Sequence, residues 1–249
     1  MIKINSIYKD FDNKNVLEDI TTIFEKGKTN LIIGQSGSGK TVLLKCLLGL
    51  YMIDAGEIFY DDIKYSLMSK NKKIELRQEM GMVFQGSALF DSLSVLENVR
   101  FPLDMLTKLS SKEKNNLALK FIERVNLSDA INKLPSELSG GMQKRVAIAR
   151  AIVMKPKYLF CDEPNSGLDP KTAIVIDKLI NDITKEYNIT TIINSHDMNS
   201  VIEIGENIIF LKNGKKIWQG NNTEILNSGN KKVNDFVYSS KLVQKLNNS

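Results

Sequence analysis

The chain has 249 residues, of which 42% are hydrophobic and 25% are charged. These fractions are close to the averages of globular proteins, so we expect a packed core and not a disordered chain. The net charge of +5 comes from scattered Lys and Arg residues. Because no basic helix face or set of stacking aromatic residues accompanies this charge, we expect no nucleic-acid partner.

The sequence lacks the run of about 20 apolar residues that crosses a bilayer. It begins with an alternating strand pattern and not with the basic and apolar segments of a signal peptide. Cys46 and Cys161 lie in apolar neighbourhoods, which predicts buried hydrophobic side chains and not a disulfide framework or a metal site. We therefore expect the protein in the cytosol or on the cytosolic face of a membrane.

The first quarter of the sequence carries the pattern of a β region divided by short turns. Apolar, β-branched runs predict strands, at residues 2–4, 20–24, 29–33 and 57–60. Residues 40–50 are apolar at helical spacing and end at Gly49, which predicts a helix. We expect this β region to be mainly antiparallel and to surround the loop between the third strand and the helix.

Strand patterns fade between about residues 86 and 157. Ser110 and Glu113 have the spacing of a helix start, and residues 113–126 continue with apolar residues at helical spacing. A second helix is predicted over residues 141–154. We interpret this stretch as a helical lobe inserted into an α/β core.

Continuous apolar strands return after residue 157, as expected for a parallel sheet that is covered on both faces. These strands are residues 158–161, 190–194 and 208–211. A helix over residues 171–187 follows Asp169-Pro170 and connects the first strand to the second.

A glycine-rich loop lies between the predicted strand at residues 29–33 and the predicted helix that begins at Lys40. It matches the pattern G-x-x-x-x-G-K-[ST] at every position. Glycines let backbone N–H groups point at phosphates, and the helix start adds a favourable dipole. Lys40 neutralises phosphate charge, and the Thr41 hydroxyl is a suitable Mg²⁺ ligand. The predicted nucleotide-binding site consists of Gly34, Gln35, Ser36, Gly37, Ser38, Gly39, Lys40 and Thr41.

An acidic pair ends the apolar strand at residues 158–161. Asp162 is suited to hold Mg²⁺ through its water shell, whereas Glu163 points elsewhere and is the natural general base. Alone, such a pair is equally typical of a helix cap or a solvated turn. Beside a phosphate-binding loop, it favours Mg²⁺ binding and nucleotide hydrolysis.

A third motif, Leu138-Ser139-Gly140-Gly141-Met142, comes directly before a basic helix. A serine and two glycines at this position form a second anion site. The motif resembles the signature of the ABC ATPases, although the family usually has Gln where this chain has Met142. The resemblance covers about residues 11–220 and implies an α/β fold, the phosphate-loop ABC ATPase fold, with a RecA-like core, an antiparallel β region and an inserted helical lobe.

The resemblance implies a single ABC ATPase domain over residues 1–249. Its expected parts are a core lobe (1–85 and 158–220), a helical lobe (about 86–157) and a C-terminal tail (221–249). It also implies that two chains pair head to tail. ATP then lies between the phosphate loop of one chain and four residues of the other, namely Ser139, Gly140, Gly141 and Asp169.

Further residues receive roles from the same resemblance. Gln85 matches the glutamine that senses Mg²⁺ and water, and His196, the only histidine, matches the switch histidine at the γ-phosphate. Phe11 matches the aromatic residue that stacks on adenine; Tyr8 is a rival, and ordinary strand packing explains either. The implied Mg²⁺ ligands are Thr41, Gln85 and Asp162, and the implied catalytic set is Lys40, Gln85, Glu163 and His196.

The segment at residues 86–103, with the signature motif, is similar to the ATPases of Mla/Mce-type phospholipid transporters. This similarity implies a multispan permease that binds residues 86–103, an MCE-domain lipid-binding protein, and transport of phospholipid between bacterial membranes. It places the chain on the cytoplasmic face of the inner membrane. It also implies that residues 235–238 dock on the dimer partner.

Three alternatives stay open. The apolar residues Leu89 and Phe90 are also explained as core of the helical lobe. The chain is also explained as the ATPase of another ABC transporter, such as an amino-acid importer, or as a soluble cluster-assembly-type ABC ATPase.

Overall fold

The structure, a computed structural model, describes residues 1–12 and 14–238. Its strands are β1 (Ile2–Phe11), β2 (Lys14–Phe24), β3 (Thr29–Ile33), β4 (Ala55–Tyr60), β5 (Ile63–Lys64), β6 (Met80–Val83), β7 (Tyr158–Asp162), β8 (Thr190–Ser195), β9 (Asn207–Lys212) and β10 (Lys215–Gly220). Its helices are α1 (Lys40–Leu47), α2 (Lys70–Gln78), α3 (Val95–Leu106), α4 (Ser111–Arg124), α5 (Gly140–Ile152), α6 (Pro170–Glu186), α7 (Met198–Ile204) and α8 (Lys231–Tyr238).

The larger sheet positions the site. Its strand order is β10-β9-β3-β8-β7-β6, and β9, β3, β8, β7 and β6 run parallel. Ile33 pairs with Ser195, and Asp162 pairs with Asn194. Because β3, β8 and β7 end at the same edge, the residues that follow them meet there, which is where ligands bind in open α/β sheets.

The smaller sheet has the order β2-β1-β4-β5 and is antiparallel. Its inner face contributes Ile2, Ile4 and Ile7 to a buried cluster with α1 and one face of the larger sheet. The strand β3 does not belong to this antiparallel sheet. The expectation that the antiparallel region would surround the loop was therefore wrong for β3, since its hydrogen-bond partners are β8 and β9.

Residues 84–157 contain helices but no strand, and they lie between two paired strands, β6 and β7. Two of these helices begin with capping boxes: Ser94 with Glu97 in α3 and Ser110 with Glu113 in α4. Each box satisfies backbone N–H groups that have no partner inside the helix. The helices α3, α4 and α5 share a buried apolar cluster with one face of the larger sheet.

Several element boundaries differ from the predicted ones. The helix predicted over residues 40–50 ends at Leu47, because Gly49 adopts a left-handed conformation, with φ of 67°, and its N–H donates to the Cys46 carbonyl. The helices α2 and α3 were not predicted. In α2 the basic run Lys70 to Lys73 obscures the apolar pattern that predicts a helix. In α3 Pro102 lies inside the helix, where proline is usually disfavoured.

Both cysteines are buried, as predicted. The tail helix α8 packs on this chain's own core, with the rings of Phe236 and Phe210 at 5.1 Å and Val237 fully buried. Docking of residues 235–238 on a dimer partner stays a prediction, as do the lobe boundaries. Residues 239–249 of the predicted tail lie outside the described residues.

Candidate nucleotide site

The loop at residues 34–41 connects β3 to α1. Gly34, Gly37 and Gly39 have φ of 151°, 78° and 102°, values that L side chains rarely adopt. A Cβ atom on Gly39 would also lie 2.9 Å from the carbonyl oxygen of Val16. The glycines are therefore required by the shape of the loop, whose N–H groups and helix start form an anion-binding concavity.

Lys40 lies inside this loop. Its Nζ donates to the carbonyl oxygens of Gly34 at 2.8 Å and Gln35 at 3.1 Å, and the residue is 6% exposed. Burial lowers the pKa of Lys40, while the carboxylates of Glu163 and Asp162 act in the opposite direction. The buried ammonium group is therefore held at the centre of the loop, where phosphate charge would replace the carbonyl dipoles.

Thr41, Asp162 and Asn194 meet at the sheet edge. The Thr41 hydroxyl lies 3.4 Å from Oδ1 of Asp162, and Nδ2 of Asn194 donates to the same oxygen at 2.9 Å. Two hard oxygen donors on adjacent elements are the set that Mg²⁺ accepts when substrate phosphates complete its shell. Among residues 1–12 and 14–238, no cluster of three His, Cys, Asp or Glu side chains could hold a metal ion alone.

Glu163 follows β7 and has a φ of 47°, a strained value for a residue other than glycine. Its Oε1 lies 3.0 Å from Nδ1 of His196, and its Oε2 accepts from Nε2 of Gln85 at 3.1 Å. The same Gln85 nitrogen lies 3.3 Å from the Ser166 hydroxyl. The structure thus brings together three residues that are far apart in the sequence, with the carboxylate between an amide and an imidazole.

Gln85 is held from a second side. The buried ammonium group of Lys144, on α5, donates to the backbone carbonyl of Gln85. Burial lowers the pKa of Lys144, and Cys161 and Glu163 act in the opposite direction. The helix α5, which begins within the signature motif, therefore contacts the loop that carries Gln85.

Ser139, Gly140 and Gly141 lie at the start of α5, and Asp169 is the N-cap residue of α6. The Ser139 hydroxyl caps α5 by accepting from the Met142 N–H at 3.3 Å, and a Cβ on Gly141 would lie 2.6 Å from Cγ2 of Thr172. In the described part of the chain, no hydrogen bond joins these four residues to residues 34–41. One chain therefore presents its phosphate loop and its signature motif as separate surfaces.

Phe11 and Tyr8 are similarly exposed, at 38% and 36%. The Phe11 ring makes an edge-to-face contact with Tyr51 at 5.2 Å, and Lys9 Nζ lies 5.0 Å from its centre. The partly open face of Phe11 is compatible with stacking. Its role at adenine stays a prediction.

Sequence reasoning missed Asn194 and Lys144 as site residues. Asn194 had a detectable signal, because it is the polar residue near the end of an apolar strand. Lys144 had a weaker signal, as a charged residue on a helix whose neighbours are apolar. The contact of Ser166 with Gln85 joins residues 81 positions apart, so it could not be read from the sequence.

Comparisons with known proteins agree with this geometry. The family model described as "ABC transporter" matches residues 17–166. The chain belongs to the ABC transporter family. It is 36% identical over 243 residues to the methionine import ATP-binding protein MetN 1 of Oceanobacillus iheyensis. This match covers 96% of this chain and 72% of that protein. It is also 37% identical over 214 residues to the glutamine transport ATP-binding protein GlnQ of Geobacillus stearothermophilus, and this match covers 86% of this chain and 86% of that protein.

Solved structures show the same ABC cassette fold. The cassette MJ0796, solved as a dimer, matches with a TM-score of 0.80 and 32% identity over 89% of this chain and 99% of that one. The cbiO1 protein of Clostridium perfringens matches with a TM-score of 0.84 and 32% sequence identity. The match covers 92% of this chain and 91% of that chain. A further structure holds MJ0796 after hydrolysis, bound to ADP and Pi. The predicted fold class is confirmed, and this ABC chain is the ATP-hydrolysing subunit of a transporter.

Within residues 1–12 and 14–238, this ABC ATPase has no helix that combines the length and apolar character needed to cross a membrane. The phospholipid specificity inferred from residues 86–103 is not specifically supported, because the relatives named above are described for methionine and glutamine.

Proposed function

We propose that two copies of this chain close head to tail over ATP, and that hydrolysis at the shared sites drives a membrane permease. The observation that carries this proposal is the separation of the two anion-binding surfaces within one chain. The phosphate loop contacts Asp162, whereas Ser139 and Gly140 are exposed and cap a different helix. A second copy supplies the missing half of each site.

The roles of the residues follow from their positions. Lys40 and His196, with Ser139 of the second copy, neutralise the γ-phosphate, since phosphoryl transfer depends mainly on positioning and charge stabilisation. Glu163 accepts the proton of the attacking water, because its carboxylate faces the site between Gln85 and His196. Gln85 joins this cluster to the helical segment that follows it.

Two buried atoms support the fit of nucleotide and metal to this site. The Ser38 hydroxyl, in the phosphate loop, and Oδ1 of Asn194, beside Asp162, are buried without a hydrogen-bond partner among the described residues. Buried polar atoms usually have a hydrogen-bond partner, so we expect these two atoms to contact a bound group. Thr41, Asp162 and Gln85 would hold Mg²⁺, which supplies charge neutralisation at the β- and γ-phosphates.

The role of Glu163 is tested by Glu163→Gln, which keeps the size of the side chain and removes the base. We expect kcat for ATP hydrolysis to fall about 10²- to 10⁴-fold, while ATP still binds and holds the dimer, as seen by size-exclusion chromatography with light scattering. Glu123→Gln, on the exposed surface of α4, is the matched control. Turnover of Glu163→Gln at the wild-type rate would show that another group is the base.

Head-to-tail pairing is tested by mixing two inactive variants, Lys40→Ala and Ser139→Arg. In a head-to-tail heterodimer, one site contains both defects and the other contains neither. We therefore expect the mixture to hydrolyse ATP although neither variant does so alone. A mixture that stays inactive, despite heterodimers detected by native mass spectrometry, would contradict shared sites.

An apolar groove supports a permease contact near residues 86–103. The groove, of about 290 Å³, is lined in part by Phe84, Phe90, Phe101 and Leu106. The side chains of Phe84 and Phe90 are 45% and 41% exposed, and exposed apolar patches of this kind mark interaction sites. Through this groove the permease would hold the chain on the cytoplasmic face of the inner membrane.

The groove is tested by Phe90→Glu in the full complex, captured from membranes with an affinity tag on the ATPase. We expect the wild-type chain to recover a multispan protein and the variant to lose it, with ATP binding retained. Recovery of equal amounts of the multispan protein with both chains would place the contact elsewhere.

There are two proposals for the transported compound. The similarity of residues 86–103 to Mla/Mce-type ATPases favours phospholipid and an MCE-domain partner, whereas the names of the methionine and glutamine relatives favour an amino acid. Mass spectrometry of the purified complex, followed by ATPase assays with phospholipid vesicles or with amino acids, distinguishes them. Copurified phospholipid that stimulates hydrolysis supports the first, and stimulation by amino acid alone supports the second.

A further inference from the structure

A buried carboxylate lies behind the candidate site and takes no part in the roles given above. Asp177, on α6, is 1% exposed. In the described part of the chain it has no ion-pair partner: its neighbour Lys178 pairs with Glu203 at 3.1 Å. A buried carboxylate without a cation is costly to stability.

The hydrogen bonds of Asp177 connect two segments of the site. Its Oδ2 accepts from the Ser200 hydroxyl at 2.7 Å and from Nδ2 of Asn165 at 3.2 Å. The same Asn165 nitrogen lies 2.8 Å from the Ser200 hydroxyl oxygen. The three side chains thus form a closed triangle, and each is buried.

Each partner of Asp177 belongs to a segment that carries a proposed site residue. Asn165 lies in the turn after Glu163, in which the Ser166 N–H donates to the Glu163 carbonyl at 3.1 Å. Ser200 lies on α7, which begins two residues after His196. The Asp177 carboxylate therefore holds the Glu163 turn and the His196 segment at a fixed separation.

We propose that Asp177 is a positioning residue for ATP hydrolysis, which joins Asn165 to Ser200 and so fixes Glu163 relative to His196. This inference rests on the proposed roles of those two residues. Their contact of 3.0 Å is the geometry that the triangle maintains, and a displacement of about 1 Å in such a site lowers turnover strongly.

The charge of the triangle changes within an accessible pH range. Burial raises the pKa of Asp177 to about 6, against the hydrogen bonds from Ser200 and Asn165, and Asp197 and Glu203 also raise it. The ionisable groups around it are Cys161 on β7, Lys178 on α6, Asp197 at the N-cap of α7, and Glu203 on α7. Protonation removes the negative charge that both donors face, so turnover should fall as pH drops through about 6.

The test compares the wild-type chain with Asp177→Asn and with the reversed pair Asn165→Asp/Asp177→Asn. In the single variant two amide groups face each other, and we expect kcat to fall about tenfold or more while KM for ATP stays within about twofold. The double variant Asn165→Asp/Asp177→Asn again has one carboxylate that accepts from an amide and from the Ser200 hydroxyl. It should recover most of kcat. Asp182→Asn, exposed on the same helix, is the control.

The pH profile adds a readout that a merely structural role would not change. The wild-type kcat should fall between pH 7 and pH 5 with a midpoint near 6, and Asp177→Asn should lack that midpoint. Wild-type kcat and an unchanged profile in Asp177→Asn would overturn this inference alone, provided that Glu163→Gln is inactive. Full activity of Glu163→Gln would instead overturn the proposed function.

Discussion

The buried carboxyl group of Asp177 leads to a prediction about stability that is independent of catalysis. Its pKa is raised from 3.8 to about 6 in the folded chain. Because the folded state binds this proton more tightly than the unfolded state, its contribution to stability is present at low pH and is lost as pH rises from about 4 to about 6. Above this range the ionised group costs about 3 kcal/mol, at about 1.4 kcal/mol per pH unit between the two pKa values.

The perturbation is Asp177→Asn, measured at pH 7 and pH 5. Between these values the titration of Asp177 stabilises the wild-type chain by about 1 kcal/mol, whereas Asn has no proton to bind. The difference in free energy of unfolding between the two chains should change by that amount, in favour of the wild type at pH 5. The assay is urea unfolding followed by the fluorescence of the single tryptophan, Trp218.

Other carboxyl groups with lowered pKa values, such as Asp61 and Glu206, act in both chains and cancel in the comparison. Asp182→Asn, which also removes a carboxylate from α6, controls for loss of a charge on this helix. If the stability difference between the wild type and Asp177→Asn is the same at both pH values, within about 0.3 kcal/mol, the pKa of Asp177 is not raised in the folded chain.

Two further predictions concern the phosphate loop and the Gln85 contact. Gly39→Ala places a Cβ 2.9 Å from the Val16 carbonyl at a φ of 102°, so we expect a stability loss of about 1–3 kcal/mol and clearly weaker binding of a fluorescent ATP analogue; unchanged affinity would contradict the steric argument. Lys144→Met leaves the Gln85 carbonyl without its ammonium donor, so we expect lower kcat and a loss of about 1–3 kcal/mol in urea unfolding. Wild-type values in both assays would show that this contact is dispensable.

The phosphate loop illustrates what is readable from local sequence. A strand, glycines at fixed positions, Lys40 and a helix start are adjacent in the chain, and the backbone conformation that they require depends on near neighbours. The start of α4 was predictable for the same reason, since Ser110 and Glu113 satisfy N–H groups within one turn. Signals of this kind remain visible without any knowledge of the tertiary structure.

The features that were predicted wrongly or not at all depend on residues far away in the sequence. Nothing local to residues 29–33 says that β3 inserts between β8 and β9 and not into the antiparallel sheet. The helix α2 was hidden because its run of lysines masks a single buried residue, Leu76. In both cases long-range packing decides the outcome, which propensity alone does not contain.

The sequence by itself determined that this chain is an ABC-family ATPase with a phosphate loop, an acidic pair and a signature motif, because each motif is a short run whose chemistry depends on residue type and spacing. Only the tertiary structure placed Asn194 beside Asp162, Lys144 on the Gln85 carbonyl, and Asp177 between Asn165 and Ser200. These contacts depend on how separate elements pack, since a side-chain hydrogen bond requires two atoms about 3 Å apart in space, whatever their separation along the chain.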